Sequence, residues 1–216
     1  MKLKTKYFYS SFFLIALISS GLLTIRIIQG ETPVIDVWSA PAVASIENSV
    51  TFDIFRWITE LGSGSFLTPF TIFFSFFMWR YSKKWLPPVM IFSGILLGYR
   101  VNHWIKLIVE RERPRIFAEA EGVGYSFPSG HAMVAIIAYG LFLYFLTKYT
   151  ASRKAVLWIN IIGIALILLI GFSRYVIQVH YLTDVLAGYM FGYMFLMIWI
   201  GIYHLINSFL KNTSPS

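Results

Sequence analysis

His180 and Asp184 stand four residues apart, a spacing that puts both side chains on one face of a helix. A carboxylate so placed can hold one ring nitrogen protonated and leave the other as a nucleophile, the orienting logic of catalytic triads in general form. A second histidine, His131, follows Pro128-Ser129-Gly130, where a helix is expected to start and Gly130 permits close backbone approach. Amide groups at a helix N-terminus make an anion site. Lys106, Arg113 and Arg174 add three cations. Arginine can grip a phosphate with two parallel hydrogen bonds, while lysine acts as a compact charge. His131 arrives from another segment and is placed to act as a general acid. A two-histidine, one-carboxylate metal site is the alternative for His131, His180 and Asp184. The three cations argue against it, since they would repel a metal ion and attract an anion.

The elements that must position these residues are set by composition. Of the 216 residues, 57% are apolar and only 13% charged, against about 45–50% and about 25% in a soluble domain. So little charge cannot solvate an ordinary globular surface. A soluble enzyme, a disordered chain and an ordinary nucleic-acid binder are all excluded, and an integral membrane protein remains. Without cysteine there is no disulfide framework, thiolate metal site or cysteine nucleophile.

A membrane-crossing helix needs roughly 20 mostly apolar residues, and six stretches qualify. They run from about Tyr7 to Ile28, Phe55 to Trp79, Leu86 to Val109, Ser129 to Thr147, Ala155 to Phe172 and Asp184 to Ile206. Each must be helical, because hydrocarbon offers the backbone no outside partner. Lys2, Lys4 and Lys6 precede the first span, and Arg80, Lys83 and Lys84 lie between the second and third. Lys148, Arg153 and Lys154 separate the fourth and fifth, and Lys211 follows the sixth. These segments hold ten basic residues and no acid. Cytoplasmic loops carry the excess of lysine and arginine, so both termini are expected in the cytoplasm. The net charge of +8 is then a topology signal, and no nucleic-acid partner is expected. The first span is expected to be retained, its apolar core being longer than a signal peptide's. The outer loop from Gly30 to about Ile54 could hold a short amphipathic segment in the interface. With this topology the polar clusters fall at the outer ends of their helices, where ionisable groups are costly and usually functional.

Taken together, Lys106-x6-Arg113-Pro114, Pro128-Ser129-Gly130-His131 and Ser173-Arg174-x5-His180-x3-Asp184 resemble the three signature motifs of the type 2 phosphatidic acid phosphatase (PAP2) superfamily. Order and internal spacing match, without departure, over eleven specified positions. Within it the chain looks most like the bacterial membrane phosphatidylglycerophosphate phosphatase B type. The resemblance implies an all-α bundle in one PAP2-type domain over residues 1–216, with its motifs within 106–184. It implies a metal-independent lipid phosphatase, without cofactor, that works through a phosphohistidine. His180 would attack phosphorus, Asp184 would orient it, and His131 would protonate the leaving oxygen. Lys106, Arg113, Arg174, Ser129 and the Gly130 amide would hold the phosphoryl oxygens. Pro114, Pro128 and Ser173 would shape the motifs. The substrate would be a lipid phosphate entering from the bilayer at the extracytoplasmic face, and no obligatory protein partner is evident. Phosphatidylglycerophosphate is the leading expectation and undecaprenyl diphosphate the alternative. A headgroup transferase and a non-enzymatic lipid carrier are the readings from other classes.

The remaining polar residues read differently. His103 and His204 lack the company that marks His131 and His180, and Arg100 reads as structurally paired or snorkelling. Arg111 and Arg115 alternate with Glu110 and Glu112, which reads as a solvated charged loop. Gly188 and Gly192 form a small-xxx-small pair that suggests close helix packing.

Overall fold

The computed structural model describes residues 3–46 and 49–213, with side chains described for 7–46 and 49–212. Lys2 and the side chains of Lys4 and Lys6, used above to orient the chain, lie outside the described residues. Among the described residues eight α-helices follow in chain order: α1 (Leu3–Ile28), α2 (Val34–Ala44), α3 (Val50–Glu60), α4 (Gly64–Ser82), α5 (Leu86–Val109), α6 (Gly130–Lys148), α7 (Arg153–Val176) and α8 (Leu182–Thr213). A 3-10 turn at Ala118–Ala120 lies between α5 and α6. Among the described residues there is no strand.

Local sequence explains most of the boundaries. Ser49, Ser63, Ser129 and Ser152 each cap a helix by accepting the amide of the residue three positions on, which relieves one otherwise unpartnered donor. Pro87 and Pro88 occupy the first turn of α5, where a missing amide hydrogen costs nothing. α5 ends at Glu110, whose left-handed backbone (φ 51°) returns its amide to the Lys106 carbonyl.

By length and composition α1, α6, α7 and α8 can cross a membrane, and α3 with α4 forms a further span if the pair counts as one. The stretch expected as one span from about Phe55 to Trp79 falls in two helices, bent by 42° at a break over residues 61–63. Ser63 caps a new helix there, and Tyr139 of α6 donates its hydroxyl to the Leu61 carbonyl at 2.7 Å. α5 is long enough to cross but too polar to qualify on composition. Its second half carries Arg100, Asn102, His103 and Lys106. The outer segment expected as a loop with an amphipathic stretch folds into α2 and the start of α3.

α6 is the central element, packed against α5, α7 and α8. Of its apolar stretch 61% is buried, compared with 17–28% for α1, α7 and α8. The others keep large apolar side chains such as Phe12, Ile72, Trp158 and Ile162 exposed. A helix apolar all round belongs in a core or in lipid, and this molecule uses both: a multi-pass membrane protein with α6 at its axis. The core includes Leu67, Met78, Ile91, Met133, Ile137, Phe145 and Ile170. α8 approaches α6 closely at Gly188 and Gly192. A Cβ there would lie 2.7 Å from the carbonyl oxygens of Ser129 and Met133 respectively, so the close packing read from this pair is present.

Candidate active site

The C-terminal ends of α5 and α7 and the N-terminal ends of α6 and α8 meet at one end of the bundle, and they carry the polar motifs. His180 lies between α7 and α8 and is 2% exposed. Its Nδ1 is 3.3 Å from Asp184 Oδ2, and its Nε2 is 3.0 Å from Arg113 Nη1. A guanidinium can only donate. His180 Nε2 therefore presents its lone pair, and the proton sits on Nδ1, facing the carboxylate. Asp184 also accepts the Tyr181 amide at 3.0 Å and an Arg111 Nη1–H at 2.5 Å. Burial, followed by Arg113, Lys106, Arg174 and His131, holds the His180 ring well below the ordinary histidine value, so it is neutral at neutral pH.

The three cations are oriented by one stretch of backbone. Arg113 donates to the carbonyls of Val123, Gly124 and Tyr125, and to Val179 at 2.7 Å. Burial lowers its pKa to about 10, which leaves it charged. Arg174, with no exposed surface, donates to the carbonyls of Ala120 and Glu121 and to Thr59 Oγ1. Its Nε–H is buried without a hydrogen-bond partner among the described residues. Lys106 donates to the carbonyls of Tyr125 and Ser126.

His131 opens α6 beside them, with Nε2 3.8 Å from Glu121 Oε2. The Leu61–Ser63 break lets it fit: a Cβ at Gly62 would stand 3.0 Å from His131 Cδ2. Ser129 caps α6, and its amide donates to the Asp184 carbonyl at 3.0 Å, which ties the α6 N-terminus to the helix that carries Asp184. Asn102 of α5, buried, donates to the Pro128 carbonyl at 3.3 Å, and its Oδ1 faces Gly130. Ser173 donates its hydroxyl to the Ile170 carbonyl at 2.6 Å. Pro114 lines a small cleft of about 70 Å³ with His180, Tyr181, Gln178, Tyr175, Asp36 and Ser39.

The sequence-predicted residues thus converge on one end of the bundle, while the other candidates stand apart. His103 and Arg100 are exposed on α5, and His204 is exposed near the end of α8, bonded to Tyr144. Arg113 stands at His180 Nε2, and no three histidine or carboxylate groups among the described residues are arranged to hold an ion. Arg111 requires a correction. Its side chain is 10% exposed and bridges Asp36 and Asp184 at 2.8 and 2.5 Å; it is no solvated loop charge. Sequence reasoning also passed over Asp36, Asn102, Thr183 and Glu121. Only Asn102 had a local signal: it precedes Lys106 by four residues, one turn along the same helix face.

Helices that cross a membrane and a histidine–carboxylate pair beneath clustered cations define a class: membrane proteins equipped at one end to hold an anion. The model for the PAP2 superfamily matches residues 87–208, more than half of the chain. The chain belongs to the PAP2 superfamily. It is 35% identical over 146 residues to phosphatidylglycerophosphatase B of Bacillus subtilis, a match that covers 65% of this chain and 69% of that protein. Undecaprenyl-diphosphatase of Sulfolobus acidocaldarius is 37% identical over 79 residues, 37% of this chain and 34% of that one. Among solved structures, the transmembrane PAP2 type phosphatidylglycerolphosphate phosphatase from Bacillus subtilis superposes with a TM-score of 0.78 at 29% identity. That match covers 92% of this chain and 96% of that one. The family and these relatives make this chain a membrane phosphatase.

Proposed function

We propose that the protein hydrolyses phosphatidylglycerophosphate to phosphatidylglycerol and phosphate through a phosphohistidine on His180. The observation that carries this reading is the fixed tautomer of His180. Nδ1–H faces Asp184 and the Nε2 lone pair faces Arg113, so the nucleophile points at a cation that would hold its target. Nε2 attacks phosphorus and the bond to the lipid oxygen breaks, with His131 giving its proton to that oxygen. The imidazole, now bearing phosphoryl on one nitrogen and hydrogen on the other, is cationic and is held by Asp184. Water then attacks phosphorus, His131 takes a proton back, and the P–N bond breaks to release phosphate. Lys106, Arg113 and Arg174 bind the phosphoryl oxygens with Ser129 and the Gly130 amide, and no metal is required. Phosphoryl transfer depends mainly on positioning and charge stabilisation, and the unpartnered Arg174 Nε–H suits a phosphoryl oxygen.

In the membrane this reading has six spans, with α3 and α4 as one broken span and α5 as another. Both termini are cytoplasmic and the site is extracytoplasmic, reached sideways from the outer leaflet. The match to an undecaprenyl-diphosphatase favours a second reading, hydrolysis of undecaprenyl diphosphate, because apolar walls discriminate weakly between acyl and prenyl chains. Phosphate release by the purified protein, measured side by side on the two lipids and on phosphatidic acid, separates them. A preference of about tenfold, about 1.4 kcal/mol, for phosphatidylglycerophosphate supports the first reading. The same preference for the diphosphate replaces it with the second, and release from none overturns both.

A further inference from the structure

We propose that Asp36, on α2, is a positioning residue for the reacting histidine and acts through Arg111 on Asp184. This rests on the reading of His180 as the nucleophile. Asp36 is 3% exposed. Its Oδ1 accepts the Thr183 amide at 2.9 Å, and its Oδ2 accepts the Thr183 hydroxyl at 2.6 Å and an Arg111 Nη2–H at 2.8 Å. Arg111 gives its other arm to Asp184 Oδ1 at 2.5 Å and to Thr183 Oγ1 at 2.9 Å, with its Cζ 3.9 Å from the Tyr181 ring centroid. One guanidinium thus joins two carboxylates whose side chains are 1% and 0% exposed.

The arrangement does two things. Asp36 supplies a cap, from a helix 147 positions earlier in the chain, to the first turn of α8, where Asp184 resides. It also divides the attraction of Arg111. With both carboxylates present, Arg111 satisfies Asp184 Oδ1 without drawing the whole carboxylate away from His180, so Oδ2 stays available to the imidazole. A buried ion pair that loses one member leaves the other uncompensated. Without the Asp36 charge, Arg111 turns fully onto Asp184, which then stabilises a cationic His180 less well. The groups facing His180 include Asp184 from α8, Arg113 from the loop after α5, Lys106 from α5, His131 from α6 and Arg174 from α7. Asp184 is the only acid in this set, so its effective charge governs the proton and phosphoryl affinity of the ring.

Asp36→Asn separates position from charge. Asparagine keeps an oxygen for the Thr183 amide and can give its amide to the Thr183 hydroxyl, so the cap survives while the Arg111 pair is lost. The experiment measures kcat and KM of the full chain on phosphatidylglycerophosphate and on undecaprenyl diphosphate across about pH 4–8. The expected result on the lipid that is turned over is a kcat lower by about tenfold or more, with KM within about twofold. The acid limb of the profile should move to lower pH, because a negative charge supporting the imidazolium is gone. Arg111→Lys keeps one charge but cannot span both carboxylates. It should lose a comparable amount, and adding Asp36→Asn to it should cost less than about threefold more, as expected of residues acting as one unit. A kcat for Asp36→Asn within about twofold of wild type, a loss confined to KM, or additive losses in the double variant would overturn the proposal. His180→Ala is run alongside. If it is inactive while Asp36→Asn is fully active, only this inference fails. If His180→Ala turns over normally, the nucleophile reading fails and takes the inference with it.

Discussion

Replacing Gly188 with alanine adds one methyl group where α8 crosses the first turn of α6. The new Cβ would stand 2.7 Å from the Ser129 carbonyl oxygen, 2.9 Å from Ala132 Cβ and 3.2 Å from the Met133 amide nitrogen. Two of these atoms are backbone, so no side chain can swing aside, and α6 or α8 must move. Ordinary contact begins near 3.4 Å, so the closest approach must open by about 0.7 Å. That movement acts directly on the site, since the Ser129 amide spans to the Asp184 carbonyl at 3.0 Å and His131 lies two residues further on. Overpacking costs about 1–3 kcal/mol, and alanine recovers about 1 kcal/mol of helix propensity over glycine. The net, roughly zero to 2 kcal/mol, lowers Tm by no more than about 8 °C for a chain of this size. Activity should suffer more, because misplacing catalytic groups by about 1 Å can cost about a hundredfold. We expect kcat to fall roughly tenfold to a hundredfold. The assay is phosphate release with thermal unfolding in the same detergent, and Gly201→Ala is the control. Gly201 lies on the same helix with nothing within 4 Å of its built Cβ, so that variant should match wild type in kcat and equal or exceed it in Tm. A Gly188→Ala enzyme within about twofold of wild-type kcat would refute the reasoning. So would a Gly201→Ala enzyme that loses as much.

Four further outcomes follow from the site. His180→Ala should abolish turnover, whereas His103→Ala, on an exposed face of α5, should keep most of it; similar behaviour of the two would reassign the roles. Because burial and the neighbouring cations hold His180 below the ordinary histidine value, its neutral form persists in acid. The acid limb of kcat/KM should therefore lie below about pH 6.5, and a limb at or above that value counts against it. The same shift sets the stability sign. The unfolded chain takes up a proton as pH falls through about 6.5 and the folded one does not, so the contribution of His180 to stability is present above that value and declines below it. Treatment with EDTA should leave phosphate release unchanged, and a loss restored by a divalent metal would contradict the proposed roles of the three cations.

The residues that converge at the end of the bundle were legible because their relations are short-range. His180 and Asp184 are one helical turn apart, Ser129 caps the helix that carries His131, and Lys106 lies in the last turn of α5. Apolar run length places each of these near a helix end, and antiparallel packing of consecutive spans brings the ends together. The break at Leu61–Ser63 was less legible. Arg56, Glu60, Gly62, Ser63, Gly64 and Ser65 interrupt the apolar run around it, but run length alone does not say whether such a stretch bends. What fixes the bend is tertiary: the Tyr139 hydroxyl on the freed Leu61 carbonyl, and the fit of His131 against Gly62.

Arg111 shows why the rest was hidden. In sequence it alternates with acids, the pattern of a solvated loop, and the nearest oppositely charged residues are Glu110 and Glu112. In the fold its partners are Asp36 and Asp184, 75 and 73 positions away. A sequence specifies that a charge exists and roughly how deep it lies, but burial forces that charge to find a counter-charge wherever the packing supplies one. At the surface, neighbours along the chain would have sufficed. Here α2 packs against α8, the cost of desolvating Arg111 is offset by two carboxylates instead of one, and a helix absent from the signature motifs joins the network that reaches His180 through Arg111 and Asp184.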